Sequence, residues 1–276
     1  MHRALERICV EVRTLRRSVS PQLSGFRGVE FGNWVEQGRR QADLNDAYDA
    51  LMDLAAIIGV PPKALSLNGR LGLAFGARGK GGKGSVRINA HYERGYMAIN
   101  LTKERGAGSL AHEWMHALDD YLGDMLGKMD MASETGRVAF SALGLEESEK
   151  DLVGMRPEML RALGKVYSAV RTETGLEKRS KNLDGRRTGS AYWAKVSEME
   201  ARAFEAYIAD KLAESGASND YLVNIVSEDF WRAQNEQLGR GELHDYPYPT
   251  VSEMPVVREA FDGLFRTVKL VRPQGC

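Results

Sequence analysis

The segment SLAHEWMHALDDYLG, residues 109–123, is the most informative part of the sequence for both fold and chemistry. It contains the pattern His-Glu-x-x-His, with the histidines at His112 and His116. In an α-helix, side chains four residues apart project from the same face, so both imidazoles can bind one metal ion. The apolar residues between them lie on the opposite face, where they can be buried. The segment therefore predicts an amphipathic helix over about 109–122, with Glu113 beside the two histidines.

This trio of side chains indicates hydrolytic chemistry. A zinc ion held by His112 and His116 would lower the pKa of a bound water toward about 7 and polarise a carbonyl group. Glu113 lies where it can take a proton from that water. The pattern therefore predicts a zinc-dependent hydrolase in which Glu113 is the general base.

A catalytic zinc normally takes three protein ligands, so one more is expected elsewhere in the chain. The segment 190–214 carries acidic residues on a helical pattern. Glu198 and Glu205 are seven residues apart and share a helix face, whereas Glu200 points elsewhere. We favour Glu198 as the third ligand, with Glu205 as the second candidate. A lone strand histidine, His91, is more often a surface or packing residue.

Other polar residues could support the ligands rather than bind the metal. Arg202 or Glu205 could orient a ligand from behind. Asp119 and Asp120 lie three and four residues after His116, and either could accept the other ring N–H of that histidine. Both aspartates could equally be exposed acids without such a role.

Tyr192 and the glycine-rich loop 76–84 give weaker indications of function. Tyr192, six residues before the favoured glutamate, could stabilise an oxyanion, or it could pack in the core beside Trp193. The glycine-rich loop 76–84 is basic but does not match the order of a phosphate-binding P-loop. Such a loop is more often surface than binding site.

The remaining patterns predict a mainly helical α+β protein with a small sheet ahead of the central helix. We expect one domain over 1–276. Its parts are the sheet and central helix (20–125), a helical insertion or lid (126–189), and a helical part with the third ligand (190–276). The other predicted helices are about 2–19, 40–58, 157–173, 219–238 and 256–268. The predicted strands are 86–92 and 96–102, joined as a hairpin, and the predicted loops are 20–33, 77–84 and 178–189.

The composition of the chain allows predictions about its cellular compartment and its partners. Among 276 residues, 38 basic side chains balance 38 acidic ones, and zero net charge makes nucleic acid an unlikely partner. The two cysteines, Cys9 and Cys276, give no disulfide framework. Neither a signal peptide nor a membrane-spanning run is apparent. We therefore expect a cytoplasmic protein with no membrane partner; the oligomeric state is left open.

Several stretches resemble a known family. They are GVEFGNWVEQGRRQADLNDAYDALMDLAAIIGVPPKALSLNGRLGLAFGARGKGG, AHYE, INLTKERGAGSLAHEWMHALDDYLG and EMEARAFEAYI. Together they look like the zincin-type module of large polyvalent proteins of phages and conjugative elements, the large polyvalent protein-associated domain of the first type. The resemblance covers about 25–125 and 190–212, whereas 126–189 and 213–276 resemble no family. It implies a zincin-like metallopeptidase fold, carried by a mobile element in a bacterial cytoplasm or infected host cell.

A more distant similarity concerns the third ligand. Zincins resembling the anthrax lethal factor catalytic domain carry a late helix with the pattern E-[aromatic]-[aromatic]-A-E-A-F, in which the first glutamate binds the metal. This chain matches the pattern at Glu198, Ala201, Ala203 and Phe204. It departs at Glu200, where an aromatic residue is usual, and at Arg202, where a second glutamate is usual. The resemblance thus implies Glu198 as the ligand and leaves the supporting roles open.

The leading hypothesis is a zinc endopeptidase that acts on a protein of the host or of the mobile element. We expect an extended substrate peptide to pair with strand 86–92 or 97–102. The alternative is a non-catalytic interaction module that keeps the zincin fold and blocks a host defence protein. An intact Glu113 argues against this alternative, because a scaffold has no need for it.

Overall fold

A computed structural model describes residues 25–32, 37–77, 90–102, 108–125, 139–142, 155–186, 188, 191–241 and 243–269. Within them, helices predominate and a small mixed sheet is present, as predicted. The helices are α1 (Gln37–Ile58), α2 (Leu110–Met125), α3 (Pro157–Arg171), α4 (Leu176–Asp184), α5 (Val196–Glu214), α6 (Glu228–Gln237) and α7 (Met254–Lys269). The strands are β1 (Val29–Phe31), β2 (Gly72–Phe75), β3 (Ala90–Glu93) and β4 (Ala98–Leu101).

The four strands form one sheet in the order β1-β2-β4-β3. β1, β2 and β4 are parallel, whereas β3 pairs antiparallel with β4, so that Tyr92 lies opposite Ile99. The predicted hairpin is confirmed. The prediction of a loop throughout 20–33 is wrong for β1, a strand too short to show the alternation by which strands are recognised. Because β4 pairs on both sides, it has no free edge for a substrate peptide; β3 lies at the edge of the sheet.

An aromatic cluster holds α2, α5 and α7 together. The Trp114 and Phe204 rings are 5.7 Å apart, and those of Phe204 and Phe261 are 5.4 Å apart. The Trp114 indole N–H also donates to the Leu65 carbonyl at 3.0 Å, which satisfies its polar group. Trp114 follows His112 by two residues, so the cluster anchors the face of α2 opposite the histidines.

The prediction of a basic loop over 178–189 is wrong, because α4 occupies its first half. Leu176 is fully buried, and the buried Arg179 forms an ion pair with Glu253. The charge of Arg179 is thus used in an internal contact, and the buried side chains of Leu176 and Arg179 fix this segment as a helix. Asp184 then accepts hydrogen bonds from the backbone N–H groups of residues 192, 193 and 194 at 2.8–2.9 Å.

That turn delays the next helix, so α5 begins at Val196, later than the predicted start at 190. Likewise, α6 begins at Glu228 because the Ser227 hydroxyl caps it by accepting from the Phe230 N–H at 3.2 Å. The predictions for 40–58, 109–122, 157–173 and 256–268 are confirmed to within a few residues. The predicted helix 2–19, most of loop 77–84 and the start of strand 86–92 lie outside the described residues.

Candidate metal centre

The histidine-bearing helix α2 is fixed at its first turn by the loop that follows α5. The Gly108 N–H donates to the Tyr221 carbonyl at 2.9 Å, and the Gly108 carbonyl accepts from the Asn224 N–H at 3.1 Å. The Ala111 N–H, which has no partner within its own helix, donates to the Leu222 carbonyl at 3.1 Å. These bonds set the position of α2 relative to α5.

Helix α5 crosses α2 and is buried on all sides in its middle. Every residue from Met199 to Ile208 is buried, among them Glu200, Arg202 and Glu205. A buried charged side chain needs a partner, since its transfer from water is otherwise costly. Because three such residues lie on α5, we expect this helix to contribute to a polar site within the core.

His112, His116 and Glu198 converge between the two helices. Among the described residues they are the group of side chains that could hold a metal ion, with one ligand atom from each lying within 4.8 Å of the others. The two Nε2 atoms are 3.2 Å apart; Glu198 Oε2 is 3.5 Å from His112 Nε2, and Glu198 Oε1 is 3.7 Å from His116 Nε2.

These separations suit a tetrahedral ion. Two ligand atoms, each about 2.0–2.2 Å from zinc, lie about 3.3–3.6 Å apart in a tetrahedron. In addition, Glu198 Oε2 is buried and lacks a hydrogen-bond partner among the described residues, although it faces His112. A metal ion would satisfy this oxygen. The residues therefore fit a site with two imidazoles and one carboxylate.

The electrostatics of the site favour a bound cation. Burial and the charge on His112 together lower the pKa of His116 to about 4, so His116 is a neutral imidazole. Burial opposes the charge on His112, but the carboxylates of Glu198 and Glu205 outweigh this effect and raise its pKa to about 10. Positive charge is therefore stabilised at the point where the ligand atoms meet.

Glu113 lies beside this group and is 7% exposed. Burial raises its pKa to about 7, with the charge on His112 and a hydrogen bond from the Tyr92 backbone N–H acting in the opposite direction. That hydrogen bond places the carboxylate next to the edge strand β3. Glu113 is thus held between the ligand group and the only antiparallel strand described.

Glu205 lies beside a histidine and is not part of the ligand group. Its Oε2 lies 3.4 Å from Nδ1 of His112, on the ring side away from Glu198. The Arg202 guanidinium lies behind the ligand and donates from Nε to the Glu198 carbonyl at 3.0 Å. The roles of Arg202 and Glu205 in orienting a ligand stay predictions.

Tyr192 also reaches the site. Burial and the charge of the nearby Glu198 carboxylate raise the pKa of Tyr192. The phenol therefore remains protonated and can donate a hydrogen bond. Its side chain is about one-third exposed, at 37%, so it borders the solvent side of the ligand group.

The other acidic candidates are not members of the ligand group. Glu200 is buried beside Asp119, and burial together with that neighbouring charge raises its pKa. Both Asp119 carboxylate oxygens accept from Ser141, one from the N–H at 2.7 Å and one from the hydroxyl at 2.6 Å. Asp120 accepts from the Tyr92 hydroxyl at 2.7 Å. The predicted role of the two aspartates in orienting His116 stays a prediction.

Sequence reasoning missed two contributors, Tyr248 and Arg179. Burial and the charge of the nearby Glu205 carboxylate raise the pKa of Tyr248. Arg179 donates to the Tyr248 carbonyl at 3.0 Å. The sequence offers no local signal for either residue, because both belong to segments that read as polar loops.

Residues 184–271 match the family model of the large polyvalent protein-associated domain 1. The match supports the family name that the resemblance suggested, and it extends through 213–271, for which the sequence analysis named no relative. The match does not include residues 25–125, which also resemble this family in sequence. No curated protein and no solved structure matches the chain.

The matched region carries one half of the candidate site. It contributes Tyr192, Glu198 and Glu205, whereas the two histidines lie outside it. In the part of the chain that the structure describes, no helix is long and apolar enough to cross a membrane.

Proposed function

We propose that this chain is a zinc-dependent endopeptidase. The observation that carries the proposal is the convergence of His112, His116 and Glu198, whose ligand atoms lie within 4.8 Å of one another. Two imidazoles, one carboxylate and an open fourth position form the donor set of catalytic zinc sites in peptidases. Zinc supplies a Lewis acid there, which polarises a carbonyl group and lowers the pKa of a water to about 7.

The side chains around the site have complementary roles in amide hydrolysis. Glu113 takes the proton of the attacking water and passes it to the leaving amine. Tyr192, held beside Glu198, donates a hydrogen bond to the oxygen on which negative charge develops. These roles require a base and a hydrogen-bond donor on opposite sides of one carbonyl.

The substrate is a protein segment in extended conformation. β3 lies at the sheet edge, and its residue Tyr92 contacts the Glu113 carboxylate. A peptide that added to this edge would place its carbonyl groups along the base. The family match supports a phage or mobile-element setting, with a substrate from the host or from the element itself.

The proposal is tested by labelling new protein N-termini in a bacterial lysate after addition of the purified protein. Wild type is compared with Glu113→Gln, which keeps the metal ligands, and the zinc content of both is measured. We expect new cleavage products with wild type, and a rate lower by about 10²–10⁴-fold or more with the variant. The control is Glu200→Gln, the same substitution at a buried glutamate outside the ligand group.

The outcomes separate two functions. Cleavage by wild type and by Glu200→Gln, without cleavage by zinc-loaded Glu113→Gln, would support the peptidase. Zinc-loaded wild type that releases no new N-termini would contradict it and would favour the interaction module. Equal cleavage by wild type and Glu113→Gln would remove Glu113 from the mechanism.

A further inference from the structure

A buried carboxylate on α2, that of Asp120, contacts the edge strand β3 and the turn that follows it. Oδ2 of Asp120 accepts a hydrogen bond from the Tyr92 hydroxyl at 2.7 Å. Oδ1 of the same carboxylate lies 2.9 Å from Nε of Arg94, the first residue of the turn that joins β3 to β4. One side chain therefore holds both the strand and its turn against the helix.

The geometry of β3 explains why these two residues meet one carboxylate. Tyr92 and Arg94 are two residues apart, and Glu93 between them has an extended backbone, with φ −100° and ψ 99°. Side chains two residues apart in an extended backbone point to the same face. Ile99, which lies opposite Tyr92 on β4, is fully buried, so this face of the sheet packs against the core.

The carboxylate also belongs to the face of α2 that bears the metal ligands. Asp120 follows His116 by four residues and His112 by eight. Side chains at this spacing lie along one side of a helix, so Asp120 continues the row formed by the two histidines. The hydrogen bond from Tyr92 thus places β3 beside the ligand group. β3 lies at the edge of the sheet, where the proposed substrate would pair.

Burial makes this contact a fixed one. Asp120 is fully buried, so its charge depends on protein partners and not on water. A hydroxyl or a guanidinium forms a stronger contact with a carboxylate than with a neutral acceptor. The Arg94 side chain is 38% exposed, so the ion pair lies at the boundary of the core and the Tyr92 hydrogen bond lies deeper.

We propose that Asp120 is a positioning residue for peptide hydrolysis, which sets the distance between the substrate-binding edge of β3 and the ligand group on α2. The inference rests on the proposed peptidase function and extends it to the placement of the substrate. Asp120 touches neither substrate nor metal in this role. A peptide paired with β3 moves with that strand, and a misplacement of about 1 Å from the reacting groups can lower a rate about 100-fold.

The experiment measures zinc content, kcat and KM of the full chain, with a peptide that spans a cleavage site found by N-terminal labelling. We expect Asp120→Asn and Tyr92→Phe to bind one zinc and to lower kcat about 10–100-fold. KM should change less than about 3-fold, because the peptide keeps its main-chain hydrogen bonds to β3. A merely structural role would lower zinc content and kcat together, in proportion to the folded fraction.

Hydrogen exchange followed by mass spectrometry tests the position of β3 without any substrate. In Asp120→Asn, the amides of β3 should exchange about 10-fold faster than in wild type, since a stabilising contact of the strand is lost. The amides of β2, in the middle of the sheet, should exchange at the wild-type rate. A general loss of stability would instead accelerate exchange in both strands.

The matched control is Asp124→Asn, the same substitution one turn further along α2. Asp124 forms an ion pair with Arg70 at 2.5 Å, and both side chains are about one-third exposed. Arg70 belongs to the turn before β2 and not to the β3 hairpin. An exposed pair contributes little, so kcat and the exchange of β3 should stay within about 2-fold of wild type.

Several results would overturn the inference while wild type cleaves the peptide. They are wild-type kcat in Asp120→Asn, a raised KM in place of a lowered kcat, unchanged exchange of β3, or equal losses in Asp124→Asn. Loss of zinc from Asp120→Asn would also overturn it and would assign the carboxylate to the orientation of His116. Wild-type protein that cleaves no substrate would instead overturn the proposed function, and the inference with it.

Discussion

Glu253 accepts four hydrogen bonds and pairs with the buried guanidinium of Arg179. Two come from Arg179, at 2.6 and 2.9 Å. The other two come from backbone N–H groups, from Gly175 at 2.6 Å and from Thr250 at 2.8 Å. The two charged side chains are only 11% and 16% exposed. Because Arg179 also donates to the Tyr246 and Tyr248 carbonyls, this ion pair joins α4, that stretch of backbone and the start of α7.

Replacing Glu253 with Gln leaves the guanidinium buried without its counter-charge. Removal of one partner of a buried pair costs about 3–5 kcal/mol. The amide oxygen of Gln keeps part of the hydrogen bonding, and some solvent reaches the pair, so we expect about 3 kcal/mol of lost unfolding free energy. For a chain of this size, that loss lowers the melting temperature by about 6–12 °C.

The same ion pair gives a dependence on pH. Burial opposes the charge on Glu253, but Arg179 and the backbone donors prevail and lower its pKa below the usual 4.5. A carboxyl group with a depressed pKa stabilises the fold above its unfolded pKa and loses this contribution as the pH falls through the folded pKa. The difference in unfolding free energy between wild type and Glu253→Gln should therefore be full at neutral pH and shrink below about pH 4.5.

Urea unfolding followed by circular dichroism measures both effects. The control is Glu214→Gln, the same substitution in an exposed pair with Arg258, where the glutamate side chain is 59% exposed. An exposed pair contributes little, so the control should change the unfolding free energy by less than about 1 kcal/mol. Equal losses in the two variants, or a Glu253→Gln effect that does not change with pH, would refute the reasoning.

Three further predictions concern the site and its approach. Tyr192→Phe should retain zinc and lower kcat by about 10²–10³-fold, measured on a cleaved peptide, because one donor to the oxyanion is lost; unchanged kcat would assign Tyr192 to packing. Gly108→Ala should destabilise the fold by about 2–5 kcal/mol in urea unfolding, since φ is +86° and the new Cβ would lie 2.3 Å from Asn224 Cβ. Gly216→Ala, at φ +70° with open space around it, should cost only about 1–2 kcal/mol. Removal of zinc with a chelator should lower the melting temperature. Zinc at 1,000 times its dissociation constant should raise the free energy of unfolding by about 4 kcal/mol. A melting temperature that does not change with zinc would contradict a zinc site in the folded state.

The histidine helix was predictable because its signal is local. His112 and His116 have meaning only at helical spacing, and the apolar residues around them show which face is buried. The place of Glu198 in the ligand group was predictable for a related reason, since its helix puts Glu200 on another face. In the structure, Glu200 is buried near Asp119 and is not part of that group.

The supporting residues were not predictable because their partners are distant in sequence. Arg179 and Glu253 are 74 residues apart, and no pattern around either one reveals the other. The run that contains Arg179 is basic and polar, which on local grounds indicates a solvated loop. Only the fold shows that the Arg179 charge is neutralised by Glu253 and that the segment forms α4.

The central claim is that His112, His116 and Glu198 bind one zinc ion, and elemental analysis of the purified chain tests it most directly. The measurement compares wild type with His116→Ala and Glu198→Ala, and uses Glu200→Ala as the control from the same helix. We predict one zinc per chain in wild type and in Glu200→Ala, and none in the two ligand variants. Wild-type protein that contains no zinc and takes none up on addition, or Glu198→Ala that retains a full equivalent, would contradict the account.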